Sequence, residues 1–262
     1  MYEFGFLGLG KMGSSILNGI LSKGIYEKCE LCFYAPSEET QNKYKNVGLS
    51  LVSSERELFI SSKIILMAIK PQKYDEALDK IKGVDCGGKI VISLAPGKSI
   101  RYLNEHIRNA KIVRAMPNTP ALVNKAVTTI TFDGEENIEV LDIFKSIGEV
   151  LIVNEKQIDE AIPLNGSMPA YLFEFVRGFV NASLEYNIRK EDALTLALYS
   201  IIGSCELAIQ SGDDLDTLIN NVCSKGGSTI AGLNELRNNN FNDLIKKCYD
   251  SCVKRSKDLE SV

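Results

Sequence analysis

Tryptophan is absent from the 262 residues, and histidine occurs once, at position 106. That imidazole lies in the polar helical stretch Asn104-Glu105-His106-Ile107-Arg108 and reads as a solvated side chain. A Ser-His-Asp relay therefore has almost no material to work with. A surplus of one charge is also missing: 30 Lys and Arg stand against 34 Asp and Glu, a net −4. Without a basic excess to follow a phosphate backbone, no nucleic-acid partner is expected. No uninterrupted apolar run approaches the ~20 residues that cross a bilayer. Nor does the N-terminus carry the basic region, apolar stretch and cleavage site of a secretory signal. A cytoplasmic protein without a membrane partner is the expectation. The seven cysteines are an odd number in a chain too long to need staples. Cys29 and Cys32 share a strand-like segment, and Cys248 and Cys252 share a helical face, but neither pair has the partners zinc requires. They read as small buried hydrophobes in a reducing compartment, with no metal site.

What the chain does have is 45% hydrophobic and 24% charged residues, enough for a sizeable core. At roughly 150 residues per domain, its length suggests two domains. Tyr2–Leu7 reads as a buried strand, followed by glycines and a helix with Ile16, Leu17, Ile20 and Leu21 on one face, ending at Gly24. Further strand signals cover residues 30–34, 64–69, 89–95, 111–115 and 126–132, with helical segments at 73–82, 99–108 and 136–146. This alternation predicts a Rossmann-type, doubly wound parallel sheet over residues 1–155. From 156 to 262 the periodicity is helical, in stretches 169–187, 190–211, 214–223, 228–237 and 240–260. An all-helical second domain follows.

Gly8-Leu9-Gly10-Lys11-Met12-Gly13 sits between the first strand and the first helix. In that context Gly8 allows a tight turn, Gly10 lets the backbone approach a pyrophosphate, and Gly13 lets the helix pack close. An NAD site usually has an acid at the tip of the second strand to hold the ribose 2′-hydroxyl. Here the tip is Tyr34-Ala35-Pro36-Ser37. Ser37 could donate to a 2′-phosphate, with Lys43 and Lys45 nearby, which favours NADP(H). NAD(H) stays open, with Glu38 or Glu39 in the acid's role. Ala68-Ile69-Lys70-Pro71, Ser93-Leu94-Ala95-Pro96-Gly97 and Arg114–Pro120 follow strand ends, where open α/β sheets bind ligands. In the helical domain, Ser224-Lys225-Gly226-Gly227-Ser228-Thr229 precedes a helix and is either an anion-binding helix start or a plain turn.

Taken in order, Phe6–Met12, Ala68–Pro71, Arg114–Pro120, Gly166–Tyr171 and Gly226–Leu233 resemble the pyrroline-5-carboxylate reductase family, from about residue 4 to 236. The resemblance implies an NAD(P)H-dependent oxidoreductase that reduces 1-pyrroline-5-carboxylate to L-proline, the last step of proline biosynthesis. It implies that Gly8, Leu9, Gly10, Lys11, Met12, Gly13, Ser37, Ala68, Ile69, Lys70, Pro71, Ser93, Leu94 and Ala95 line the cofactor site. Asn118 and Thr119 would lie near the nicotinamide. Ser224, Gly226, Gly227, Ser228 and Met168 would contact the substrate, and Thr229 would serve it as the catalytic hydroxyl. Family members form interlocked homodimers, and many stack into decamers. The chain departs from the family pattern at Asn165, Met168, Lys225 and Pro96, and near Ser54-Glu55, where a nucleotide-contacting asparagine is usual. A 3-hydroxyacid dehydrogenase begins with similar glycines, but its helical lysine arrangement is not found here; Lys246 and Lys247 lie in a charged late helix. A nucleotide-binding scaffold without turnover is the non-enzymatic alternative. The helix after Pro169 is apolar on much of its surface, through Leu172, Phe173, Phe175, Val176, Phe179 and Val180, which predicts that a second copy covers it.

Overall fold

The computed structural model describes residues 1–260; Ser261 and Val262, the end of the expected second domain, lie outside the described residues. Eight strands form one sheet: β1 (Tyr2–Leu7), β2 (Leu31–Tyr34), β3 (Ser50–Leu51), β4 (Ser62–Met67), β5 (Ile90–Ser93), β6 (Lys111–Met116), β7 (Ala126–Phe132) and β8 (Gly148–Ile152). Their spatial order is β3-β2-β1-β4-β5-β6-β7-β8. Between them run α1 (Lys11–Lys23), α2 (Glu38–Val47), α3 (Glu55–Ser61), α4 (Tyr74–Lys80), α5 (Ile100–His106) and α6 (Ile138–Lys145). α7 (Glu155–Glu160) follows β8, and then come α8 (Met168–Ser183), α9 (Lys190–Ser211), α10 (Leu215–Val222), α11 (Ser228–Asn238) and α12 (Phe241–Glu260).

The central strands are apolar over Phe4–Leu7 of β1 and Ile64–Met67 of β4, where both faces are covered. Phe4, Phe6, Ile64 and Leu66 enter one buried cluster with Ile16, Leu17 and Ile20 of α1. Leu7, Ile65 and Met67, one residue out of step, enter the opposite cluster with Leu58, Phe59 and Tyr74. The period-2 geometry of a strand thus sorts an unbroken hydrophobic run into two cores.

One expectation is corrected: the sheet is not parallel throughout, since β6 and β7 pair antiparallel. Only nine residues, 117–125, connect them. A parallel return needs a crossover of a dozen or more residues, so this short link turns the chain back. The strands β3 and β8 and the helices α2, α3 and α7 lie outside the segments that the periodicity marks.

Two other sequence readings change. Cys32 and Cys86 are buried, but Cys29 and Cys205 are exposed and Cys223, Cys248 and Cys252 only partly covered, so the buried-hydrophobe reading holds for two of seven. Cys29 lies in a 3-10 turn before β2 rather than in the strand. The second concerns α9, which is long and apolar enough to cross a bilayer by length and composition. Three of its four charges, Lys190, Glu191 and Asp192, lie in the first turn, leaving an apolar average over residues that form no unbroken run. Within α9 only Ala193 is buried.

The chain forms two compact units: residues 1–169 with the described residues from Cys252 onward, and residues 170–251. In the second, Val176, Val180 and Ala193 make a small core. Phe173, Phe175 and Phe179 of α8 and Leu194, Leu196, Tyr199 and Ile202 of α9 are exposed.

Candidate active site

The sheet order reverses between β1 and β4, which lie side by side while their following connections leave in opposite directions. At such a switch point the C-terminal strand ends open a crevice for a ligand. The Gly8–Gly13 turn leaves β1 there, and Ala68–Pro71 leaves β4 beside it. Gly8 has φ +92°, and a Cβ on it would stand 2.9 Å from Ile69 Cγ2 and 3.0 Å from the Ala68 carbonyl oxygen. Its N–H donates to the Tyr34 carbonyl at 3.0 Å, tying the turn to β2. A Cβ on Gly13 would come 2.7 Å from the Gly8 carbonyl oxygen, so α1 packs against its own entry turn only because that side chain is missing.

Gly10 differs from both. Its two chain neighbours aside, no protein atom lies within 4 Å of where its Cβ would stand, and its φ of −70° is open to any residue. Neither packing nor backbone strain requires glycine here, and the open space leaves room for a ligand to approach the backbone. α1 has no side-chain cap and no acid in its first turn. Its first intrahelical bond runs from Ser14 N–H to the Gly10 carbonyl at 2.9 Å, so the amides of Lys11, Met12 and Gly13 precede the ladder. A helix start with open amides and the positive end of the dipole suits a phosphate. Leu9 is buried, Met12 half-buried and Lys11 exposed. The residues present fit a dinucleotide pyrophosphate.

Ser37 caps α2, its Oγ accepting from Thr40 N–H at 3.3 Å. It is exposed, as are Glu38 and Glu39 in the first turn. Ala68 and Ile69 are half-buried, while Lys70 is exposed ahead of a 3-10 turn that Pro71 opens. In the neighbouring loop Ser93 and Ala95 are buried and Leu94 is half-buried. The Ser93 hydroxyl donates to the Tyr74 hydroxyl at 3.0 Å and accepts from Ala95 N–H at 3.3 Å, so it shapes the loop from within.

Asn118 is also committed. Its Oδ1 accepts from Val127 N–H at 3.0 Å and its Nδ2 donates to the Asn165 carbonyl at 3.3 Å, whereas Thr119 beside it is exposed. Asn165, noted in the sequence as a departure, is buried and donates through Nδ2 to the Met116 carbonyl at 2.6 Å and to Thr129 Oγ1 at 3.2 Å. It fastens the segment before α8 to the ends of β6 and β7. Met168 opens α8 and is partly exposed.

Beneath this region Arg114 is buried in β6, with Nη2 on both carboxylate oxygens of Asp159 at 2.9 and 3.1 Å and Nη1 on Glu155 at 3.2 Å. Glu155 also accepts from Ile100 N–H at the start of α5. This cluster was not predicted. The signal available was a charged residue inside the apolar run Lys111–Met116, which a strand buries only with a partner.

In the second unit, α11 begins without a side-chain cap or an acid in its first turn. Gly226 has φ +72°, and a Cβ on Gly227 would stand 2.4 Å from Ser224 Oγ. The first intrahelical bond joins Ala231 N–H to the Gly227 carbonyl, leaving the Ser228, Thr229 and Ile230 amides ahead of the ladder. Ser228 and Thr229 are exposed at this helix start, as are Ser224, Lys225 and Gly226 before it. The arrangement suits a carboxylate with a hydroxyl beside it. Among the described residues, no group of three or more His, Cys, Asp or Glu side chains could hold a metal ion.

Comparison with known proteins agrees with both halves. Residues 155–259 match the family model described as pyrroline-5-carboxylate reductase dimerisation, and residues 3–97 match that of NADP oxidoreductase, coenzyme F420-dependent. The chain is 30% identical to pyrroline-5-carboxylate reductase of Escherichia coli K12, covering 98% of each chain. It is 31% identical to the Haemophilus influenzae enzyme of the same name, covering 98% of this chain and 97% of that one. The crystal structure of pyrroline carboxylate reductase from Plasmodium falciparum with NADP bound superimposes with a TM-score of 0.87 at 32% identity, covering 99% of this chain and 98% of the other.

Proposed function

The chain belongs to the pyrroline-5-carboxylate reductase family, and from that premise we propose how its residues share the work. It is an NAD(P)H-dependent oxidoreductase that reduces the C=N bond of 1-pyrroline-5-carboxylate to give L-proline, the closing reaction of proline biosynthesis. NADP(H), when bound, supplies the hydride for the imine carbon. Residues 1–155 bind the dinucleotide, and 156–262 bind substrate and form the dimer.

The open amides of Lys11, Met12 and Gly13 hold the pyrophosphate, with Gly10 giving the backbone room. Ser37, capping α2 with exposed hydroxyl and amides, receives a ribose 2′-phosphate; NADP(H) is preferred, and NAD(H) serves less well because Glu38 and Glu39 lie past the tip. Ile69, Lys70, Leu94 and Thr119 line the rest of the cradle, and Asn118 shapes it through the backbone. At α11 the Ser228 and Thr229 amides bind the substrate carboxylate, with Gly226, Gly227 and Ser224 forming the turn. A cyclic imine is partly protonated in water, so the site needs no strong acid. The Thr229 hydroxyl bonds the ring nitrogen and steers its proton. Holding both reactants in one pose contributes most of the rate. Met168 narrows the substrate space where the family has glycine.

The observation carrying this reading is Gly10, a glycine that neither strain nor packing requires. Its test is loss of reduced-nicotinamide absorbance with pyrroline-5-carboxylate, with NADPH and NADH run in parallel and proline assayed as product. Turnover with NADPH preferred is expected. Thr229→Ala lowers kcat by about a hundredfold, as loss of a positioned proton-handling group does, and Thr229→Ser recovers most of it. Full activity in Thr229→Ala at unchanged substrate affinity would refute the assigned role. Assembly is a homodimer through α8 and α9, decamers being stacked dimers, in the cytoplasm with no membrane or nucleic-acid partner.

A further inference from the structure

Tyr74 opens α4 and is wholly buried. A buried phenol must pair its hydroxyl. This one donates to the Met67 carbonyl at 2.8 Å and accepts from Ser93 Oγ at 3.0 Å. Met67 and Ser93 are register partners at the last residues of β4 and β5. The hydroxyl therefore bridges two central strands at the point where each passes into a loop. The bridge extends outward, since Ser93 Oγ accepts from Ala95 N–H at 3.3 Å. Without it the junction is weak: Leu94 N–H reaches the Met67 carbonyl only at 3.4 Å. Burial pushes the Tyr74 phenol well above its ordinary range, outweighing the donors around it, so the proton on the Met67 carbonyl stays in place.

The two loops that leave this junction, Ala68–Pro71 and Ser93–Gly97, are those assigned above to the dinucleotide. Resting on that reading, we propose that Tyr74 is a positioning residue for NADP(H), its hydroxyl setting the spacing of the two loops that leave β4 and β5. Being buried, it touches neither cofactor nor substrate. Its effect is preorganisation: the loops hold their bound spacing before the dinucleotide arrives, so less ordering accompanies binding. A phenylalanine would fill the same volume and leave the Met67 carbonyl on one long bond and the Ser93 hydroxyl without its acceptor.

The test uses the full chain with Tyr74→Phe, Ser93→Ala and both together. Each variant is measured by thermal unfolding, by amide hydrogen exchange without nucleotide, and by calorimetric titration with NADPH. In Tyr74→Phe, the Leu94 and Ala95 amides exchange faster in the unliganded protein and the NADPH dissociation constant rises about tenfold, the scale of one well-made hydrogen bond. The double variant loses less affinity than the sum of the single losses, because both changes cut one bridge and Ser93→Ala removes in addition only the Ala95 N–H contact. KM for NADPH rises more than kcat falls, while KM for the imine acid stays within about twofold. A lowered melting temperature with unchanged exchange at Leu94 and Ala95 and unchanged NADPH affinity overturns the inference and leaves the dinucleotide reading standing. Additive losses in the double variant also overturn it. No NADPH affinity in the wild type overturns both. Should Tyr74→Phe fail to fold, Ser93→Ala cuts the same bridge from its small side, and unaltered exchange and affinity there are equally fatal.

Discussion

Three glycines in one turn answer to three different physical demands, and substitution separates them. Alanine at Gly13 puts a methyl 2.7 Å from the Gly8 carbonyl oxygen, inside van der Waals contact with backbone. Gly13→Ala should cost about 1–3 kcal/mol in urea unfolding, the range for overpacking. Gly10→Ala meets open space and needs no unusual φ. Its melting temperature should match or exceed the wild type, since alanine narrows the unfolded ensemble, while NADPH affinity measured by titration falls. A Gly10→Ala variant that binds NADPH normally would remove the argument for a pyrophosphate at that turn. Cys32 makes a prediction about pH. Burial pushes its thiol from 9.0 up to about 11, against a weaker opposing contact from Ser62. The folded chain keeps that proton where the unfolded chain releases it, so the group's contribution is full below pH 9 and lost as pH rises through about 11. Urea midpoints should fall across that window, and fall less in Cys32→Ala.

The elements that build the site are joined by side chains distant in sequence. The Arg114 guanidinium joins β6 to α7 through a two-oxygen grip on Asp159, both partners almost fully buried. A buried pair adds little over an apolar substitute, but removing one member strands the other. Asp159→Ala should therefore lower unfolding free energy by about 3 kcal/mol, measured by denaturant titration. A change under 1 kcal/mol would mean that Glu155 alone compensates Arg114. Asn165 plays the matching uncharged part, holding the Met116 carbonyl and Thr129 while its own carbonyl receives Asn118. The loop after β6 is thus positioned from below by ions and from the side by amides. Pro117 and Pro120, whose rings fix φ, lie in the same loop.

For the whole molecule, the apolar surface of α8 and α9 is the decisive feature. Phe173 is 63% exposed, Phe179 56% and Tyr199 72%, while only three residues of that unit form a buried core. Soluble monomers rarely leave so much contiguous apolar surface in water, so a second copy is the economical cover. Sedimentation at micromolar concentration should give a dimer or a larger even-numbered species. Phe179→Glu, placing charge within that patch, should shift the mass toward monomer and lower the melting temperature. A wild-type monomer would instead leave α9, with its bilayer-compatible length, in search of another partner.

Local signals carried the order and limits of most long elements. Strand β1 at Tyr2–Leu7, strand β7 at Ala126–Phe132 and helix α9 at Lys190–Ser211 are readable from period, run length and flanking turn residues, all properties of neighbouring positions. The glycine turn Gly8–Gly13 is legible for the same reason, since strand, glycines and helix are contiguous. Other features depend on residues brought together from afar. The antiparallel return of β7, the commitment of Asn118 to Val127 and Asn165, and the Tyr74 bridge between Met67 and Ser93 follow from register. A polar residue at a strand end carries no mark of whether its hydroxyl faces a ligand or the next strand. The resemblance puts Ser93 in a loop that lines the cofactor site, and its hydroxyl is paired inside that loop. The sequence by itself determined which segments fold and where an open glycine turn meets a helix start, because both are set by local backbone sterics and hydrophobic period. Only the tertiary structure decided which polar side chains remain available at that site, because a buried donor or acceptor must pair wherever packing brings it.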